Sequence, residues 1–157
     1  MRNILVLIGI ALLASSCGKQ PIVQYFNVPD RIWAFQKPVD FVVNIAKPGY
    51  YQTQVRVRYT QEYSYSNIWV VLDEKRPDGK KAGMRFNIPL FDLSGSPFGS
   101  FAGKFYDRNY PDSSVEGKPL ILNFPLAGQY TFSIQHNMRI DKLDGIAEIG
   151  IKLKEQK

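Results

Sequence analysis

Cys17 is the residue of this chain whose setting points most directly to a chemical modification. It follows Leu13-Ala14-Ser15-Ser16, and small residues before a cysteine let the backbone enter a signal peptidase while the thiol accepts a diacylglycerol. The sequence has one cysteine, so Cys17 has no disulfide partner within the chain. We predict that acylated Cys17 is the first residue of the mature protein. Cleavage at a neighbouring bond, which would leave a free thiol, is the alternative.

The residues before Cys17 have the layout of a secretory signal. A short positive start precedes residues 4–14, an unbroken apolar run of 11 residues. As a helix this run would extend about 17 Å, against about 30 Å for the hydrocarbon core of a bilayer, so it is too short for a transmembrane anchor. We predict a lipoprotein signal peptide over residues 1–16, a lipid-anchored tether over 17–37 and one folded domain over 38–157.

Catalytic and metal-binding chemistry has little support elsewhere in the chain. Nucleophilic catalysis needs a nucleophile, a base and a group that orients the base, and the sequence offers one histidine, His136. Zinc would need three or four ligands at set spacing, which are absent from the sequence. Residues 107–112 resemble the start of a calcium loop, but its twelfth position is Lys118 instead of glutamate. We predict no enzymatic activity, no cofactor and no metal site, with His136 as a capping or interface residue.

The charge balance argues against nucleic acid as a partner. Removal of residues 1–16 takes away one basic residue of 20, which leaves 19 basic against 14 acidic residues. An excess this small and this evenly spread favours solubility over nucleic-acid binding. Arg56 and Arg58 fall on the polar face of a predicted strand, where they would either bind an acidic partner or form a solvated face. The aromatic residues suit a sugar platform, a protein interface or the core.

Alternation of apolar and polar residues predicts strands along most of the domain. Residues 39–45 and 55–60 alternate with period two, and so do 129–136 and 147–154. Residues 76–79, Arg-Pro-Asp-Gly, have the turn chemistry of a hairpin. Since no stretch has a long helical stripe, we predict an all-β fold, a single antiparallel β-sandwich of immunoglobulin-like or jelly-roll-like type with about eight strands.

Three aromatic residues and one loop complete the predicted fold. Trp69 lies in a continuous apolar run and Phe132 in an alternating one, so we expect both in the core. Tyr130 follows Ala-Gly-Gln, a sequence typical of a tyrosine corner, in which the phenol bonds the preceding connection. Residues 107–118 are polar and predict a loop.

Four blocks of the sequence together resemble one known family, the GldH gliding-motility lipoproteins of the Bacteroidetes. The order and spacing of the blocks after the cysteine carry this resemblance more than any single block does. The blocks are Tyr25 to Asp30 with Trp33, Asn67 to Val71 followed by Pro77-Asp78-Gly79, the glycine-rich stretch Gly95 to Phe105, and the closing stretch from Phe124 to Gly150.

The resemblance implies a non-catalytic lipoprotein that supports gliding motility and the associated type IX secretion machinery. It brings no catalytic residues, so Cys17 is the one functional position that it identifies. The implied partners are the membrane, through the lipid anchor, and other motility or secretion proteins of the envelope. Residues 19–21, Lys-Gln-Pro, lack the acidic cluster of surface-export signals, which favours a periplasm-facing lipoprotein of the cell envelope.

Two other classes of function stay open at the level of sequence. A glycan-binding lipoprotein of a nutrient-uptake system would use exposed aromatic side chains. A degenerate enzyme or an inhibitor has the least support.

Overall fold

The computed structural model describes residues 20–156 of the chain. Cys17 and the predicted signal over residues 1–16 lie outside the described residues. Within them, strands dominate, with one helical turn, α1 (Ser113–Glu116), and one 3-10 turn, Pro29–Arg31. The strands are β1 (Ile22–Asn27), β2 (Ile32–Ala34), β3 (Val39–Ile45), β4 (Gly49–Tyr59), β5 (Asn67–Lys75), β6 (Lys81–Pro89), β7 (Ser100–Ala102), β8 (Phe105–Tyr110), β9 (Leu120–Phe124), β10 (Gly128–His136), β11 (Lys142–Asp144) and β12 (Ile146–Glu155).

The strands form two main antiparallel sheets that enclose one core. The large sheet has the order β1-β12-β4-β8-β7, with β9 also paired to β4, and the small sheet has the order β3-β10-β5-β6. A third pair, β2 with β11, covers part of one end. The predicted all-β antiparallel sandwich is confirmed.

The core follows from the alternation of the long strands. In β4 the buried side chains include Val55, Val57 and Tyr59, and the residues between them face outward. The small sheet contributes Ile68 and Phe132, both fully buried. Apolar area buried in this way is the main stabilising contribution to the fold.

Two local predictions are confirmed in the connections. The hydroxyl of Tyr130 donates to the Leu126 carbonyl at 3.0 Å, which is the tyrosine corner. At the hairpin between β5 and β6, the Gly79 amide donates to the Arg76 carbonyl at 2.9 Å, and Gly79 has φ of 81°, a conformation that glycine adopts without strain.

Stretches predicted as irregular are strands in the structure, among them residues 32–34, which form β2 inside the predicted tether. Residues 22–27, predicted as part of a tether, form β1, which pairs with β12 along its whole length. Residues 105–110, partly inside the predicted loop 107–118, form β8, which pairs with β4. Alternation does not reveal β1 and β8, because polar side chains in them are held by neighbouring elements. The side-chain amide of Gln24 in β1 donates to the Val42 carbonyl at 2.8 Å, and Asp107 of β8 is paired by Arg56 and Arg58.

The expected position of Trp69 is wrong. Ile68, Val70 and Leu72 face the core, so Trp69 lies on the outer face of the small sheet and is partly exposed. A continuous apolar run does not identify which of its two faces is buried. Phe132 is in the core as predicted, at 0% exposure.

The two ends of the sandwich differ in their connections. The turn end consists of residues 46–49, 74–81, 124–128 and 154–156, where the connections between strands are short. The loop end consists of residues 28–38, 60–66, 90–104 and 137–145, where the connections are longer and carry β2, β7 and β11. Strand register places β1 so that Ile22 lies toward the turn end and Asn27 toward the loop end.

Truncation of Phe132 and of Trp69 to alanine should have different effects on stability. Phe132 is fully buried, and its ring packs edge to face against the ring of Phe124, with 5.9 Å between the ring centroids. Phe132→Ala should therefore lower the free energy of unfolding by about 3 to 5 kcal/mol. Trp69→Ala should cost less than about half of that, because its ring is partly in solvent. Urea denaturation measures both, and equal losses would contradict the assignment of Trp69 to the outer face.

Candidate interaction surface

An open groove lies on the outer face of the small sheet at the loop end. Its floor is Trp69, and its walls come from three separate segments of the chain: the connection before β5, strand β6 and the connection after β10. We call it the Trp69 groove. Its lining residues are Tyr65, Asn67, Trp69, Arg85, Asn137, Met138, Arg139 and Ile140.

Arg85 covers a face of the Trp69 ring. The guanidinium carbon of Arg85 lies 4.2 Å from the ring centroid, within the range of a cation–π interaction. Because Asn87 stands opposite Trp69 across the β5–β6 ladder, Arg85 reaches the ring from a neighbouring outward position of β6. That ring face is not free to stack on a sugar, which weakens the glycan-platform interpretation of Trp69.

Hydrogen bonds hold the walls of the groove in place. The amide of Asn137 donates to the Trp69 carbonyl at 2.7 Å, and the amide of Trp69 donates to the Met138 sulfur at 3.3 Å. On the opposite wall, the buried hydroxyl of Tyr63 donates to the Asn67 carbonyl at 2.9 Å, and its ring packs edge to face against Tyr65. Groups fixed in this way lose little conformational entropy when a partner binds.

The chemistry of the lining suits a protein partner with acidic and apolar groups. Arg85 and Arg139 are exposed, and the lining contains no aspartate or glutamate. Tryptophan, tyrosine, methionine and arginine are the residue types enriched at protein interfaces. Guanidinium groups also bind carboxylates with two parallel hydrogen bonds.

A braced turn at the loop end presents a second apolar feature. The Asp92 carboxylate accepts hydrogen bonds from the Ser94 amide at 2.8 Å and the Ser96 amide at 2.9 Å. The hydrogen bond from the Ser94 hydroxyl, the largest of several causes, lowers the pKa of Asp92 below its ordinary value. Leu93, at the tip of this turn, is fully exposed at 110%. A single exposed leucine is an ordinary surface feature, so the turn by itself does not mark a binding site.

Arg56 and Arg58 do not form the free basic patch that binding of an acidic partner requires. Arg58 donates to both carboxylate oxygens of Asp107, at 2.6 and 2.9 Å, and Arg56 donates to the same carboxylate at 3.1 Å. Both guanidinium groups also approach Glu148, at 3.3 and 3.4 Å. This network on the large sheet contains two positive and two negative charges, so both arginines are already paired.

The network also affects the ionisation of Asp107. The hydrogen bond from Arg58 lowers the pKa of Asp107 below its ordinary value; burial opposes this, and Arg56 adds to the lowering. The Asp107 carboxylate therefore stays charged, and its two arginines stay occupied, in mildly acidic solution.

His136 lies in the interior and not at a reactive surface. It is fully buried, with Trp33 and Phe35 edge to face at ring-centroid distances of 5.2 and 5.6 Å. Neither ring nitrogen makes a hydrogen bond of normal geometry with the described residues, although the Trp33 backbone lies close enough to favour the protonated ring slightly. Burial is the larger effect and lowers the pKa of His136 below its ordinary value of 6.5.

Residues 20–156 contain no cluster of three or more histidine, cysteine or acidic residues placed to hold a metal ion. No helix in this part of the chain is long and apolar enough to cross a membrane.

The sequence drew attention to Trp69 but not to Arg85, Met138 or Arg139 as its neighbours. These residues come together through strand pairing between distant segments, which leaves no local pattern.

His136 should make the stability of the fold decrease as the pH falls below its ordinary pKa of 6.5. The unfolded chain takes up a proton near its ordinary pKa of 6.5, whereas the folded chain resists protonation because its pKa is lowered. The stability that comes from burying a neutral His136 is therefore fully present above pH 6.5 and is lost as the pH falls. We expect urea denaturation to show lower stability at pH 5.5 than at pH 7.5, and a flatter dependence in His136→Leu. Equal slopes for both proteins would contradict this assignment.

Comparison with known proteins agrees with the extent of the fold. The chain matches the GldH lipoprotein family over residues 22–153, from the first residue of β1 to near the end of β12. A curated relative from Christiangramia forsetii, a gliding motility lipoprotein GldH homolog, is 25% identical over 162 aligned residues, which cover 98% of this chain and 95% of the relative. Since the family match covers most of the chain, this protein belongs to the GldH lipoprotein family.

Proposed function

We propose that this protein is a lipid-anchored envelope lipoprotein that supports gliding motility by binding other proteins, with no catalysis of its own. The observation that carries the proposal is the Trp69 groove, a preformed apolar and basic surface on a member of the GldH lipoprotein family. The role in motility is supported by the relative from Christiangramia forsetii, which is described as a gliding motility lipoprotein GldH homolog.

Binding accounts for the features of the loop end better than catalysis does. The buried histidine is surrounded by aromatic rings, and the accessible groups of the groove are arginines, amides, a thioether and aromatic rings. None of these groups is paired with a base or an activated nucleophile. They can hold a partner but have no evident means of breaking a bond.

Lipidation at Cys17 would make modest contacts sufficient. Two or three acyl chains, each contributing about 0.8 kcal/mol per buried methylene, hold a protein on a bilayer. Anchoring on the same membrane as a partner raises the effective concentration of the two proteins. We further propose that the domain faces the periplasm and that its partners belong to the motility apparatus and the associated type IX secretion machinery.

The proposed lipidation predicts a defined mass for the first peptide of the mature protein. Purification from cells followed by mass spectrometry should find a peptide that begins at Cys17 and carries diacylglycerol. Cys17→Ala should stop this processing and impair function, while circular dichroism still shows a folded β domain. An unmodified Cys17, or cleavage at another bond, would contradict the proposal.

The proposed binding role predicts that reversing the charge of the groove abolishes function without unfolding the protein. In a deletion strain of the parent organism, spreading and type IX cargo secretion should be lost and then restored by the wild-type chain. Arg85→Glu with Arg139→Glu should fail to restore them, because the groove then repels an acidic partner. Lys104→Glu with Lys118→Glu, at exposed positions outside the groove, reverses the same number of charges; it is the matched control and should restore both.

The outcomes separate the alternatives. If the double variant restores spreading and secretion fully, the Trp69 groove is not the binding surface. Normal spreading and secretion in the deletion strain, with failed growth on a particular polysaccharide, would instead support a glycan-binding lipoprotein of a nutrient-uptake system.

A further inference from the structure

Basic side chains are concentrated at the turn end of the sandwich, and the loop end is balanced. Residues 46–49, 74–81, 124–128 and 154–156 contain six basic and three acidic residues. Residues 28–38, 60–66, 90–104 and 137–145 contain five of each sign. The charged residues of the turn end are Lys47, Lys75, Arg76, Lys80, Lys81 and Lys154, with Glu74, Asp78 and Glu155.

The acidic residues of the turn end are each paired with a basic neighbour. Glu74 lies 2.9 Å from Arg76, Asp78 lies 3.7 Å from Lys80, and Glu155 lies 3.7 Å from Lys47. The other three basic residues are exposed and form no ion pair with the described residues. They are Lys75, Lys81 and Lys154.

Two of these lysines oppose each other across the hairpin. Lys75 and Lys81 are register partners in the β5–β6 ladder, so two positive charges face each other at its last pair. Like charges at such a position are destabilising. Asp40 and Asp73 line the same open pocket as these lysines, on the side toward the loop end, so an external anion would act on the other side of the lysine pair, at the turn end.

The spacing between Cys17 and β1 decides which end can lie at a membrane. Five residue steps separate Cys17 from Ile22, which span at most about 18 Å. Ile22 of β1 pairs with Leu153 of β12, which pairs with Thr53 of β4, so the three residues lie at the same height in the sheet. From Thr53 to Gly49, where β4 begins at the turn end, the strand covers four residue steps and about 13 Å. The six steps from Thr53 to Tyr59, where β4 ends at the loop end, cover about 20 Å. Cys17 can thus reach past the turn end but not past the loop end.

We infer that the turn end is a docking surface for anionic lipid headgroups, contacted by Lys75, Lys81 and Lys154. The inference rests on the proposed acylation of Cys17 and is independent of the role in motility. Each lysine near an anionic bilayer contributes about a fivefold gain in binding, so three contribute roughly a hundredfold. Docking in this way holds the Trp69 groove and Leu93 on the side of the domain away from the bilayer.

Fluorescence quenching in vesicles tests the orientation. The acylated protein carries no free thiol, so Ala127→Cys at the turn end and Leu93→Cys at the loop end each introduce a single labelling site at an exposed residue. In phosphatidylglycerol vesicles that contain a headgroup quencher, the label at position 127 should be quenched strongly and the label at position 93 little. Equal quenching of both labels, or stronger quenching at position 93, would overturn the inference.

Charge neutralisation tests the lysines. Quenching at position 127 should rise with the phosphatidylglycerol content and fall with added salt. Neutralising Lys75, Lys81 and Lys154 to glutamine should reduce the ratio of docked to undocked protein by roughly a hundredfold. The matched control neutralises Lys37, Lys104 and Lys142, exposed lysines of the loop end, and should behave like the wild type.

Different results would contradict the anionic ligand, the lipidation of Cys17 or the docking surface. If the protein labelled at position 127, with its lysines unchanged, is quenched equally in phosphatidylcholine vesicles, anionic headgroups are not the ligand and the inference is wrong. Protein that stays out of the vesicles, with an unmodified Cys17 by mass spectrometry, would contradict the proposed lipidation and this inference together. Vesicle-bound protein without quenching at position 127 would contradict the docking surface alone.

Discussion

The burial of one face of β4 is the constraint on which the rest of the structure depends. This strand pairs with β12 on one side and with β8 and β9 on the other. Its inward residues Val55, Val57 and Tyr59 are at most 1% exposed. A shift of one residue in its register would turn these side chains to solvent and bury Arg56 and Arg58, so the alternation of β4 specifies the register of its neighbours.

The outward face of β4 explains why a polar strand can lie beside it. Asp107 of β8 is paired by Arg56 and Arg58, while Arg108, the next residue, points inward and is 2% exposed. Arg108 forms an ion pair with Glu116 of α1 and lies over the ring of Phe98 at 5.4 Å. A buried arginine is tolerated only with such partners. Since the partners come from β4, α1 and a distant loop, the local pattern of residues 107–110 did not reveal a strand there.

The sequence was informative wherever one face of a strand is in water and the other in the core. The alternation of β3, β4 and β10 predicted their burial correctly, and the turn chemistry at Gly79 located the central hairpin. It failed for Trp69, because both faces of β5 carry apolar residues there and periodicity cannot choose between them. It also missed β1, whose outward residues Val23 and Tyr25 are apolar and exposed, at 44% and 58%.

Features of the candidate surfaces that depend on adjacent residues can be predicted from the sequence, whereas features that depend on strand pairing cannot. The proposed lipidation of Cys17 can be predicted from sequence because the signal for it would lie in adjacent residues. The Trp69 groove cannot, because Arg85 and Met138 reach the tryptophan only through the pairing of β6 with β5 and the hydrogen bonds of residues 137 and 138. The lysines at positions 75 and 81 are adjacent in space because the hairpin turns between them. Antiparallel pairing therefore places the basic hairpin at one end and the aromatic groove toward the other end of the same small sheet, so a membrane at the first leaves the second accessible.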